Sequence, residues 1–222
     1  METLSQILER EKRLRSRASG SSSPDEGWTA EEIAAAEDDF IAAAEEVCPG
    51  FRVDDDNRAV LRSVFNYCMG IPGELDPGKG LWLYGTIGSG KSTVLEVVKR
   101  FGAAWSPRDS HGPRSFRIIS AKRLNAAFSS GGYAALDSYA FTPHQAIDDL
   151  GMEALETSHF GATENVVAYV LATRYDRRRG DFTHVTTNLA PRQIAECYGE
   201  RVYDRCREMF NFVKLEGPTR RG

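Results

Sequence analysis

The sequence predicts an α/β fold in which a parallel β-sheet carries helices on both faces. Two observations predict it. Between residues 80 and 215, short apolar runs suited to buried strands alternate with stretches of helical periodicity, the order that generates parallel strand pairs. Within that order, the run at residues 81–84 leads at once into Gly85-x-x-x-x-Gly90-Lys91-Ser92 and then into a helical pattern with Val94, Leu95, Val97, Val98 and Phe101 on one side.

This strand–loop–helix unit fits the P-loop pattern at every fixed position, and each position has a physical task. Gly85, Gly88 and Gly90 allow a tight turn whose backbone N–H groups converge on phosphate oxygens. The helix starting near Lys91 adds the positive end of its dipole. The Lys91 ammonium is expected on the β- and γ-phosphates and the Ser92 hydroxyl on Mg²⁺. The expected ATP-binding segment is Gly85, Thr86, Ile87, Gly88, Ser89, Gly90, Lys91, Ser92 and Thr93.

Before this unit, residues 1–17 are polar and charged, with Leu4, Ile7, Leu8 and Leu14 as isolated apolar points, a marginal helix that needs a partner. Residues 18–27 have the composition of a flexible linker. Thr29 and Glu32 form a capping-box pattern with Trp28 and Ile33 as its staple, and that helix stops at Pro49-Gly50. A second helix follows Asp54-Asp55-Asp56 and carries Val60, Leu61, Val64, Phe65 and Cys68. The expected organisation is a flexible segment over residues 1–27, a helix over 28–50 and an ATPase domain over 51–222.

After the P-loop helix, residues 116–120 read as a strand and 121–138 as a helix interrupted at Ser129-Ser130-Gly131-Gly132. A polar stretch, His144-Gln145-Ala146-Ile147, leads to Asp148-Asp149. Residues 163–178 form an amphipathic helix presenting Val166, Val167, Val170, Leu171 and Tyr175. Residues 182–187 are a strand ending at Asn188, Pro191 opens a short helix, another helix carries Arg201 to Met209, and residues 210–215 are the last strand. Five strands result.

The net charge is −4, so a nucleic-acid surface must be a local basic patch. No apolar stretch approaches membrane-spanning length and no signal peptide is visible, so the expected compartment is the cytoplasm. Cys48, Cys68, Cys197 and Cys206 contain no Cys-x-x-Cys pair, which argues against zinc and for reduced thiols.

A P-loop holds phosphates; hydrolysis also needs a metal partner, an oriented water and charge stabilisation. Asp148 is assigned to Mg²⁺ and Asp149 to the water, because two acids at the end of a buried strand meet both needs. Asn188, an amide at a strand end beside the P-loop, can hydrogen-bond the γ-phosphate or the water.

In order along the chain, Gly-x-x-Gly-x-Gly-Lys-Ser, Ile-Asp-Asp-Leu-Gly-x-Glu at 147–153, Thr-Thr-Asn-Leu at 186–189, Tyr-Gly-Glu-Arg-Val-x-Asp-Arg at 198–205 and Gly-x-Thr-x-Arg at 217–221 resemble the DnaC/IstB-type AAA+ ATPases, bacterial helicase loaders and transposition helpers. The resemblance covers roughly residues 50–222. It implies a three-layer α/β/α P-loop NTPase of the AAA+/ASCE class with a five-stranded parallel sheet and no C-terminal lid. It also implies Walker B roles for Asp148 and Asp149, sensor-1 for Asn188, an arginine finger at Arg205 and sensor-2 at Arg221, with Arg220 as the alternate. The implied activity is Mg-dependent ATP hydrolysis to ADP and phosphate. The implied partners are single-stranded DNA, a replicative helicase and further copies of the chain in an ATP-bridged oligomer. A transposase partner, or nucleotide-gated binding with little hydrolysis, are the alternatives. The helical insertion at 121–140, with Lys122, Arg123, Asn125, Phe128 and Tyr133, is the candidate single-stranded DNA path.

Overall fold

The computed structural model describes residues 28–105, 115–177 and 181–217. Helix α1 (Ala30–Val47) begins at the expected capping box: Thr29 Oγ1 accepts from Glu32 N at 3.2 Å, and Glu32 Oε2 accepts from Thr29 N at 2.9 Å. Trp28 donates its indole N–H to Met69 O at 2.7 Å, fixing the start of α1 to the end of α2 (Arg58–Met69). Both helices bury one face, Phe40 and Ala44 from α1 and Val64, Phe65 and Cys68 from α2.

The sheet has the order β2-β3-β6-β1-β7, with β1 (Gly80–Gly85), β2 (Arg117–Ser120), β3 (Gln145–Leu150), β6 (Thr183–Thr187) and β7 (Phe210–Leu215) all paired in parallel. Alternation along β1 divides the core. Leu81 and Leu83 face α1, α2 and α3 (Lys91–Ala104). Trp82 faces the other layer, built from α4 (Ala121–Ala140), α5 (Val166–Asp176), α6 (Pro191–Tyr198) and α7 (Glu200–Met209). Five parallel strands between two helical layers match the expected architecture.

Two features depart from the expectation. A short antiparallel hairpin, β4 (Thr157–His159) and β5 (Ala162–Glu164), precedes α5, which starts three residues later than its periodicity indicates. The hairpin packs on α4 where Gly132 (φ +60) kinks the helix; a Cβ there would come within 2.7 Å of the His159 ring. The second departure is polar burial at the lower ends of β3 and β6. Arg174 of α5 is buried, and its guanidinium donates to Thr183 Oγ1 at 2.7 Å and to the carbonyls of Thr142 at 2.7 Å and Phe182 at 3.0 Å. It thereby ties the end of α4 to the entry of β6 through charge-assisted bonds.

His184 on β6 is wholly buried between Tyr67 and Phe116, and its Nδ1 accepts from Leu81 N at 3.0 Å. Burial, with the positive charges of His144 and Arg174 adding to it, pushes the imidazole from an ordinary 6.5 down to about 3. Below pH 6.5 the unfolded chain takes up a proton that the folded chain refuses, so stability falls as pH falls from 6.5 towards 3. Between pH 6.5 and 5 this one group should remove about 2 kcal/mol. Urea midpoints measured at both pH values for wild type and His184→Gln should show that increment missing from the variant; equal losses would place His184 in the ordinary range.

Candidate nucleotide-binding site

The P-loop joins β1 to α3 through three glycines in the left-handed half of φ space, Gly85 at +144°, Gly88 at +84° and Gly90 at +91°. At Gly85 the requirement is also steric, since a Cβ would stand 2.0 Å from Leu215 O on β7. Inside the loop, Lys91 is buried and donates from Nζ to Gly85 O at 3.0 Å and Thr86 O at 2.7 Å, so its ammonium is held across the mouth of the turn. Ser89 Oγ is buried in the same loop and has no hydrogen-bond partner among the described residues. A cradle that excludes a Cβ, an inward ammonium and an orphaned hydroxyl fit a phosphate chain.

Ser92, on the first turn of α3, donates from Oγ to Asp148 Oδ1 at 2.9 Å. Thr186 Oγ1 on β6 donates to the same carboxylate oxygen and accepts from Asp149 N at 3.0 Å. A hydroxyl and a carboxylate are hard oxygen donors. Two such groups suit Mg²⁺, which takes few protein oxygens and keeps water and phosphate oxygens for the rest.

Asp149 is exposed, with φ +56, and lines a cavity of about 360 Å³ together with Asn188 and residues Ile87 to Val94. Cys48, Phe51, Arg52, Asn57, Val60, Leu61 and Leu215 also line this cavity. That part of the wall escaped sequence reasoning. Its residues come from the α1–α2 connection, the first turn of α2 and β7, segments distant in sequence from the P-loop that only the fold brings beside it. The turn that follows Asp149 is braced as well. Glu153 Oε2 accepts from Gly151 N at 2.7 Å, and Glu153 Oε1 accepts from the Tyr198 hydroxyl. Burial, with that bond, pushes the Tyr198 hydroxyl well above its ordinary range.

The structure thus gathers the P-loop, Asp148, Asp149 and Asn188 at the C-terminal ends of the strands, the usual location of ligands in open α/β sheets. Arg205 lies elsewhere. It is on α7, which runs directly into Phe210, the β7 residue paired with Gly80 at the opposite end of β1 from the P-loop. Its guanidinium stacks 4.8 Å over the Tyr175 ring and is 3.4 Å from Asp176. Arg221, expected at sensor-2, its alternate Arg220 and the segment 1–27 lie outside the described residues. In the expected DNA path, Lys122 and Arg123 are exposed. Asn125 and Phe128 are buried instead, with Asn125 Nδ2 bonded to Ala154 O at 2.6 Å. Tyr133 is partly exposed and donates to Glu164 at 2.6 Å. An aromatic at a helical core position and one at a solvent position carry the same signal in sequence, which is why Phe128 was misread. All four cysteines are free thiols, as expected. No helix among the described residues is long and apolar enough to cross a membrane.

Solved structures share this architecture. A Streptococcus pyogenes serotype M3 protein described as a primosome component matches with a TM-score of 0.55 at 20% identity, over 76% of this chain and 84% of its own. DnaI matches with a TM-score of 0.53 at 23% identity, over 79% and 89%. The DnaC helicase loader matches with a TM-score of 0.55 at 19% identity, over 77% and 96%. This chain has the fold of the solved DnaC helicase loader and DnaI structures. No protein-family model and no curated protein sequence matches.

Replacing Gly85 by Ala should destabilise the protein by about 2 kcal/mol or more, because φ and the Leu215 carbonyl both oppose a Cβ. Gly73→Ala, where the nearest atom is 3.8 Å away, should stay within about 0.5 kcal/mol. Urea denaturation of the two variants tests the contrast.

Proposed function

We propose that this protein is a Mg-dependent ATPase of the helicase-loader type, acting in DNA replication on single-stranded DNA and a replicative helicase. The observation that carries the reading is the hydrogen-bonded chain from Ser92 through Asp148 to Thr186. It locks the P-loop helix to the acidic strand and leaves Asp149 and Asn188 on the cavity wall. Gly85 to Thr93 would hold the triphosphate, with Lys91 exchanging its two carbonyl partners for phosphate oxygens. Ser92 and Asp148 would hold Mg²⁺, which would supply positive charge against the negative charge of the phosphate chain. Asp149 takes a proton from the water as that water's oxygen bonds to the γ-phosphorus. The bond from the γ-phosphorus to the bridging oxygen breaks, leaving ADP and phosphate. Asn188 orients the water or the γ-phosphate.

Arg205 stands at the opposite strand ends, so its proposed role is in trans: it reaches the nucleotide of an adjacent copy in an ATP-bridged oligomer. Lys122 and Arg123, exposed at the start of α4, are the proposed phosphate contacts to single-stranded DNA. The similarity in fold to the DnaC helicase loader and DnaI supports a helicase as the partner.

Lys91→Ala should weaken ATP binding and abolish turnover. Asp149→Asn should keep ATP binding and lose about 10²–10⁴-fold in hydrolysis, the usual worth of a positioned base. Steady-state phosphate release and fluorescent-ATP binding check both; wild-type hydrolysis in a folded Lys91→Ala protein would sink the assignment. Binding without any turnover in wild type would leave a nucleotide-gated binding module.

Arg205→Ala should bind ATP but lose about 10³–10⁵-fold in assembly-stimulated hydrolysis. Mixed with Lys91→Ala, it should recover turnover at interfaces pairing an intact P-loop with an intact Arg205. A co-assembled mixture that stays inactive rules out the role in trans.

A further inference from the structure

We infer that Thr186 is a positioning residue of this site: its single hydroxyl fixes the metal-side acid and the water-side acid relative to each other. The inference rests on the ATPase reading. It starts from the pairing of β3 with β6. Ile147 pairs with Val185 and Leu150 with Thr187, so two residues, Asp148 and Asp149, oppose one residue, Thr186. This is a β-bulge, a device that re-aims side chains next to active sites.

In a regular strand Asp148 and Asp149 would point to opposite faces of the sheet. The bulge, with Asp149 in the left-handed region at φ +56, breaks that alternation and lets both acids serve one site. It also removes the Asp149 N–H from the ladder, and a part-buried amide needs an acceptor. Thr186 Oγ1 is that acceptor, at 3.0 Å. The hydroxyl proton goes to Asp148 Oδ1, the oxygen that also receives Ser92 Oγ. One donor and one acceptor function are thus both used, each on a different acid. Thr186 is fully buried, so water has no access to replace it. A valine has the right shape and can do neither. The neighbouring Thr187 accepts from Leu189 N at 3.0 Å and donates to Leu150 O at 2.6 Å, so it holds the loop that carries Asn188 and leaves both acids to Thr186.

The test uses the full chain with Thr186→Val and Thr186→Ser. Binding of a fluorescent ATP analogue is titrated with Mg²⁺, and steady-state hydrolysis is measured alongside. Thr186→Val should bind the analogue in EDTA as wild type does. It should need about 10–100-fold more Mg²⁺ for half-maximal tightening and lose a similar factor in kcat, the usual cost of removing a group that orients a metal ligand. Its KM for ATP at saturating Mg²⁺ should stay within about threefold, the ground-state contacts being intact. Thr186→Ser, which keeps the hydroxyl, should restore both quantities; a merely structural role would not follow the hydroxyl in this way. If circular dichroism shows Thr186→Val unfolded, Thr186→Cys, similar in size but a weak hydrogen-bonding group, is read in the same assays. A folded variant without the hydroxyl that keeps the wild-type Mg²⁺ requirement, or a wild type whose analogue binding ignores Mg²⁺, overturns the inference. If wild type shows Mg²⁺-tightened binding but no Lys91-dependent turnover, the ATPase reading fails, while the Mg²⁺ shift still decides the role of Thr186.

Discussion

Strand β1, between β6 and β7, is gripped at both ends by backbone from these two neighbours, and the rest of the molecule depends on that grip. At its start a Cβ on Gly80 would lie 1.6 Å from Thr183 O on β6; at its end a Cβ on Gly85 would lie 2.0 Å from Leu215 O on β7. Two missing side chains thus allow the backbones of β6 and β7 to approach the two ends of β1 closely in the order β6-β1-β7. The second of these glycines opens the P-loop, so the contact that closes the sheet also sets where phosphate-binding amides begin. From β6 the same frame delivers Thr186, Thr187 and Asn188. From β3 it delivers the two acids.

What could be read in the sequence was whatever is encoded over a few consecutive residues. The P-loop is such a unit, because its chemistry resides in adjacent glycines and the lysine and serine after them. The apolar face of α3 is another: Val94, Leu95, Val97, Val98 and Phe101 are all buried as their spacing implies. The cap at Thr29, the proline start of α6 and the break in α4 near Gly132 belong with them. The β4–β5 hairpin was not legible. Its strands have three residues each, and its turn residues, Phe160 at φ +45 and Gly161 at φ +85, lack the Asn-Gly signal that marks such turns. Thr186 was invisible for another reason. A threonine in a strand is ordinary, and its role arises only when the β3–β6 register slips by one residue opposite it.

Two polar residues of β3 and β6 are segregated towards one end of the sheet, where Gln145 Nε2 and His184 Nε2 are buried with no hydrogen-bond partner among the described residues. Gln145 and His184, unusual in buried strands, sit at the lower ends of β3 and β6, near the buried Arg174 that binds the entry of β6. Polar groups cluster there and leave Ala146, Ile147 and Val185 as the apolar centre. The acidic end of β3 is thereby held by packing from below and by hydroxyl groups from above. A weakly hydrophobic strand can therefore occupy the interior of the sheet.

The meeting of α4 with the hairpin bears on which changes of length this fold tolerates. The His159 ring rests in the notch left by Gly132, and its Nδ1 meets the Ser129 carbonyl at 3.0 Å. One residue inserted or deleted between the Ser120 cap and that notch would rotate the notch by about 100° around the helix axis and carry it away from the ring. The spacing of the first half of α4 is in this sense quantised. At the hairpin tip the opposite holds. Phe160 is almost fully exposed and the space around Gly161 is open, so extra residues there displace nothing. Lineages sharing this architecture should therefore accumulate insertions at the tip and keep the cap-to-notch distance constant.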